Sequence, residues 1–163
     1  MGIGFLLLDI QGEYIRHTLD RGGKVLSFGY ETESEGIHTS INLLSLFGFP
    51  LPERKRQLVS LFRVVFPDLS FQAVGFLRQA MNQTYSERGL VNDDPLSWSL
   101  KPPTMTDLVR NIQGHKSKSH PPESTIWEAL ERRLVEFARG GGYAFFDGET
   151  TLRQRILQRS SCA

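Results

Sequence analysis

The run Phe5-Leu6-Leu7-Leu8-Asp9-Ile10-Gln11-Gly12-Glu13-Tyr14 constrains the chain most. Four apolar residues without alternation suit a strand covered on both faces, as in a parallel sheet. The run then breaks into a carboxylate, a glycine turn and a second carboxylate. Open α/β sheets meet their ligands just beyond the carboxyl ends of their strands. Asp9 and Glu13 are therefore the site candidates, placed where a nucleotide or metal would be met. The alternative is that Asp9 caps the turn and Glu13 is solvated. Tyr14 to Leu19 reads as a short helix, Arg21-Gly22-Gly23-Lys24 as a bend, and Lys24–Phe28 as a second short strand. The polar stretch from Tyr30 to Ser40 reads as a loop, closed by Ile41-Asn42-Leu43-Leu44.

The middle of the chain switches to helical spacing. Leu58, Leu61, Phe62, Val65 and Phe66 repeat every three or four residues after Pro52. Phe71, Val74, Leu77, Met81 and Tyr85 do the same between Ser70, a natural cap, and Gly89, a natural stop. Thr104-Met105-Thr106-Asp107 has capping-box spacing, and Leu108 and Ile112 follow on one face. Gly114 to Pro122 reads as a polar linker. Thr125-Ile126-Trp127-Glu128 reads as a second box, followed by the stripe Trp127, Leu130, Leu134 and Phe137. Gly140-Gly141-Gly142 ends that helix, and Tyr143–Gly148 reads as a strand or extended turn. Four amphipathic helices in a row predict a four-helix bundle. It lies between two pieces with strand character. The fold class expected is α/β with an inserted all-helical subdomain, with residues 1–44 and 140–163 outside and residues 45–139 as the insertion.

Composition removes several function classes. The 163 residues carry a net charge of +1, so no global field draws the chain to nucleic acid or a membrane. The single cysteine, Cys162, excludes an intramolecular disulfide and a thiolate metal site. No apolar run approaches the ~20 residues that span a bilayer, and a signal-peptide pattern is missing, so a cytoplasmic location is expected. His115 and His120, five apart with Lys116 and Lys118 between them, lack an acidic or cysteine neighbour; a surface loop is the plainer reading. Arg54-Lys55-Arg56 and Arg132-Arg133 read as solvated helix faces, because the nearby phenylalanines fall on core stripes rather than beside the cations.

Leu7–Tyr14 resembles the Asp-Pro-x-Gly-Glu-Tyr turn of HerA–FtsK-type P-loop motors, especially the ATPases of conjugation and type IV secretion. Gln11 stands where those motors more often have proline. Ile41-Asn42-Leu43-Leu44 is similar to their Ile-Asn-x-Leu. Pro103-Thr104-Met105-Thr106-Asp107-Leu108 resembles their Pro-Thr-x-x-Asp-Leu helix start. Leu134–Gly148 resembles their Gly-x-Tyr…Phe-Asp-Gly segment. The resemblance implies a partial RecA-like sheet with a helical insertion. It also implies ATP and Mg2+ bound by the complete protein, with Asp9 at the edge of the nucleotide site. The partners implied are like subunits in a hexameric ring and secretion-channel proteins, peripheral to the inner membrane, with DNA as a conceivable cargo. The chain lacks the Gly-x-x-x-x-Gly-Lys-Ser/Thr cradle that wraps phosphates and a strand ending in an Asp-Glu pair. No ATP hydrolysis, no cofactor and no metal are expected of this chain alone, which reads as a piece of a larger fold prone to self-association. The competing reading is a non-catalytic helical interaction module. A third is a small metal-dependent hydrolase using Asp9, Glu13 and Asp147.

Overall fold

Capping residues and apolar stripes together fix where the helices begin, end and touch. The computed structural model describes residues 13–23, 25–27, 37–38, 40–137, 146–147 and 150. A short helix α1 (Ile15–Asp20) precedes two strands, β1 (Leu26–Ser27) and β2 (Ile37–His38). Four longer helices follow: α2 (Leu51–Val65), α3 (Phe71–Glu87), α4 (Met105–Lys118) and α5 (Glu123–Phe137). A 3-10 turn, Pro95–Ser99, lies between α3 and α4.

The starts are chemical. Pro52 sits in the first turn of α2, where a missing N–H costs nothing. The Ser70 hydroxyl accepts from the Ala73 N–H at 3.1 Å. Thr104 and Asp107 close a reciprocal box on α4: Asp107 N donates to Thr104 Oγ1, and Thr104 N donates to Asp107 Oδ2. The end of α3 is equally specified. Gly89 has φ of +79°, its N–H donates to the Ser86 carbonyl, and the Leu90 N–H reaches back to Tyr85 O. This is the paired-bond helix stop that a left-handed glycine allows. An added Cβ on Gly89 would lie 3.2 Å from Leu100 Cδ1. Gly89→Ala is therefore expected to cost about 1–2 kcal/mol, read as a lower urea midpoint with unchanged slope.

The core is built by the helices. Among the described residues, every buried hydrophobic residue falls between Leu43 and Leu134, with Leu58, Phe62, Leu77, Met81, Tyr85, Met105, Leu108, Ile112, Trp127 and Leu130 almost fully enclosed. Trp127 lies between neighbours on two helices. His115 stacks on it at 4.6 Å and 7°, and Phe76 meets it edge-on at 4.6 Å. A second aromatic group runs through Phe62, Phe66, Phe137 and Phe146.

The expected partial RecA-like sheet is corrected by this structure. Among the described residues the extended backbone amounts to β1 and β2, two residues each, paired in parallel as Leu26 to Ile37 and Ser27 to His38. Two residues a strand fall far short of the strands that a RecA-like sheet is built from. The Phe5–Asp9 run lies outside the described residues, as does most of Tyr143–Gly148; Phe146 and Asp147, which are described, belong to no strand. What the structure describes is helical, and the helical subdomain is the part of the expectation that it contains.

Three smaller expectations also change. The supposed linker Gly114–Pro122 is mostly helix, because α4 continues to Lys118 and packs along α5: Lys116 Nζ donates to Glu131 at 2.7 Å. Helix α5 starts at Glu123, so Thr125 lies inside it rather than at its cap. Periodicity placed Leu61, Val65 and Phe71 on buried stripes, yet all three are exposed, Phe71 by 92%. Each sits on the flank of its stripe, while Val59 and Ala73 turn inward instead.

Candidate functional site at the neck of the helical subdomain

Segments far apart in sequence meet at one end of the helices. Asn42 is buried and bonds in three directions. Its side-chain amide donates to Pro103 O at 2.8 Å, its Oδ1 accepts from Leu44 N at 2.9 Å, and its backbone N–H donates to Thr150 Oγ1 at 3.0 Å. Next to it, Leu43 N approaches Phe146 O at 3.4 Å. Asp147 then caps α4 from outside. Its Oδ1 accepts from Thr106 N at 2.7 Å and its Oδ2 from the Thr106 hydroxyl at 2.5 Å. The first N–H groups of a helix have no partner within the helix and carry partial positive charge. Thr104 satisfies one of them and Asp147, forty-one positions away, satisfies another.

The electrostatics nearby follow from geometry. Burial opposes the charge on Asp107, but the Thr104 backbone N–H and the Arg88 guanidinium outweigh it and hold its carboxyl below the usual range. Arg88 and Arg110 both reach this carboxylate, at 2.6 and 3.1 Å. Glu131 is held low in the same way, first by Lys116 and then by Gln113. A carboxyl depressed in the folded state contributes stability above its ordinary value and loses it as pH falls through the folded one. The fold is therefore expected to weaken progressively below about pH 4, the ordinary carboxylate range. A series of thermal melts from pH 6 down to pH 2 checks this, and Asp107→Asn should flatten the slope.

Arg54 is the other constrained cation. Its Nε donates to Ser45 O at 2.8 Å, one Nη to Leu43 O at 2.7 Å and the other to Gln57 Oε1 at 3.2 Å. Tyr85 donates to the neighbouring Leu44 O at 2.7 Å, and burial pushes its phenol well above the usual range. The chain before α2 is thus tied down from both sides.

The sequence-derived candidates fare unevenly. Asp9 lies outside the described residues. Glu13 is exposed in the turn before α1. Asp147 is engaged with Thr106, so its role in the hydrolase reading is replaced by a cap. His115 is stacked in the helix interface rather than displayed on a loop. Arg54 is half-buried rather than solvated, whereas Lys55 and Arg56 bond to Asn82 and Glu53 on the surface. Among the described residues no three His, Cys, Asp or Glu side chains converge as a metal site would require. Sequence reasoning passed over Asn42 and Thr106 as individual residues. Their signals are a polar residue embedded in Ile-Asn-Leu-Leu and the threonine within a capping box.

This helical cassette has a VirB4-like fold. The particular structure it resembles is that of VirB4 of Thermoanaerobacter pseudethanolicus, with a TM-score of 0.65, 21% identity and coverage of 88% of this chain. The match takes in 38% of the VirB4 chain, so this chain corresponds to well under half of that protein. No protein-family model and no curated relative matches the sequence. Among the described residues no helix is long and apolar enough to cross a membrane.

Proposed function

We propose that this chain is a piece of an ATP-driven motor of the type IV secretion and conjugation class, supplying its helical subdomain. The observation that carries the reading is the VirB4-like fold extending over 88% of the chain. The neck supports it. Ile41–Leu44, Pro103–Leu108 and Leu134–Gly148 are separate motif-like segments, and hydrogen bonds join the first two to Phe146 and Asp147 of the third at a single place. In this reading Asp9 lies at the rim of the nucleotide site, where a carboxylate can orient magnesium-bound water. ATP and Mg2+ are bound by other parts of the complete protein. Its partners are like subunits in a ring and the proteins of a secretion channel on the cytoplasmic side. DNA or protein is the cargo.

The test uses the native protein that contains this sequence, purified from its own cells and assayed for Mg2+-dependent ATP hydrolysis. Hydrolysis is expected, with a phosphate cradle in the same polypeptide. Asp9→Asn should lower kcat about tenfold or more without moving the melting temperature, in keeping with a positioned polar group. A native protein that neither contains a cradle nor hydrolyses ATP would overturn the reading. It would favour the second one, a non-catalytic helical interaction module, for which the four packed amphipathic helices speak.

A further inference from the structure

The loop that leads into α2 is held in a costly conformation. Phe47 has φ of +53°, the left-handed region that bulky side chains avoid, and Gly48 follows at +84°. Strain of this kind persists only where the surroundings impose it. Here the surroundings are Arg54 and Tyr85, which grip Leu43, Leu44 and Ser45 just upstream. The strain is not repaid by burial. Phe47 is 48% exposed and Phe49 45% exposed, and Gly48 and Pro50 are exposed as well. Two aromatic rings are thus presented to solvent by a loop whose base is fixed.

The second observation concerns charge. The Arg54 guanidinium lies 5.0 Å from the centre of the Phe47 ring. Its hydrogen bonds go to two carbonyls and one amide oxygen, and among the described residues no carboxylate pairs with it. Burial depresses its basicity, and the opposing contribution comes from the Tyr85 phenol rather than from a carboxylate. Three of its five donors are used, which leaves two. A half-buried arginine beside an exposed ring, without a counter-charge, is complementary to a carboxylate set among apolar groups. The other arginines with acidic neighbours, Arg56, Arg88, Arg110 and Arg133, already have one.

We propose that the Phe47–Pro50 loop and Arg54 form a docking site for a protein segment carrying a carboxylate beside apolar side chains. Phe47 and Phe49 enter the apolar part of that segment, and its carboxylate takes the free donors of Arg54. The inference does not depend on the motor reading, because it uses only groups within this chain.

The test is a titration of the isotope-labelled chain with a short synthetic peptide of alternating leucine and glutamate pairs. Glutamine and lysine counterparts serve as controls, and the Arg54 side-chain N–H resonance is followed by NMR. The glutamate peptide should shift that resonance and bind about tenfold more tightly than the glutamine peptide, the value of one charge-assisted bond. Phe47→Gly supplies the variant that keeps the fold. Glycine takes the left-handed backbone without strain, so the melting temperature should hold or rise while affinity falls. Arg54→Lys should lose the preference for glutamate over glutamine. Equal binding of the three peptides, shifts that bypass Arg54, or unchanged affinity in Phe47→Gly would each overturn the proposal. So would concentration-dependent shifts at these residues without peptide, which would assign the loop to self-association.

Discussion

Trp127→Ala is expected to cost about 3–5 kcal/mol. The indole is 2% exposed and touches both His115 on α4 and Phe76 on α3. Its removal opens a cavity where three helices meet. The helices cannot collapse to fill it without breaking the Lys116–Glu131 and Gln113–Glu131 bonds along the same seam. For a domain whose total stability is of order 5–15 kcal/mol, that loss approaches the whole. Urea denaturation followed by far-ultraviolet circular dichroism measures it. A change under about 1 kcal/mol would mean that the α3–α4–α5 junction is not the centre of the fold. Trp127→Phe, which keeps an apolar ring, should recover much of the loss.

Asn42→Ala is the second substitution with a large expected cost. It strips the partner from Pro103 O and from Leu44 N, both at the neck, and Asn42 itself is 4% exposed. A buried polar group left without a partner costs about 1–3 kcal/mol, so two should cost roughly 2–6 kcal/mol in all. The signature lies in where the damage falls. Hydrogen exchange should accelerate at Leu43, Leu44 and Thr106, while amides in the middle of α3 and α5, such as Leu77 and Leu130, stay protected until global unfolding. Uniform acceleration along the chain would show that the neck is an inseparable part of the core. Thr106→Val should reproduce part of the local effect by removing one of the two bonds to Asp147.

Sequence patterns located the helices because a helix writes its own period into the chain. Trp127, Leu130 and Leu134 were readable at three- and four-residue spacing, and all three are buried. Caps were readable where the side chain acts locally, as at Ser70 and Thr104. Stripe edges were not. Leu61, Val65 and Phe71 fit the period but lie on its margin, where the placing of the neighbouring helix decides burial. The end of α4 was misread because its last turn, rich in His and Lys, is held by α5 rather than by its own propensity. The sheet was overestimated for a related reason. An apolar run shows that a segment wants cover but does not say which element supplies it.

The candidate site was legible only in fragments. Three motif-like segments stood out separately, and nothing in their spacing says that Asn42 meets Pro103 or that Asp147 meets Thr106. Those bonds span 61 and 41 positions, beyond the reach of any local rule. Arg54 was hidden by its company. Between Glu53 and two further cations it looks like one of a solvated set, and only the carbonyls of Leu43 and Ser45 distinguish it.

The approach of Leu43 N to Phe146 O at 3.4 Å has a topological corollary. Any polypeptide framework into which these helices are threaded feels the long detour as though it were a tight hairpin. The entropy of closing a loop grows only logarithmically with its length, by about 0.6 kcal/mol per doubling, and a detour that folds on itself incurs even less. With the two flanks this close, doubling the length of a loop between the helices is therefore expected to cost only about 0.6 kcal/mol.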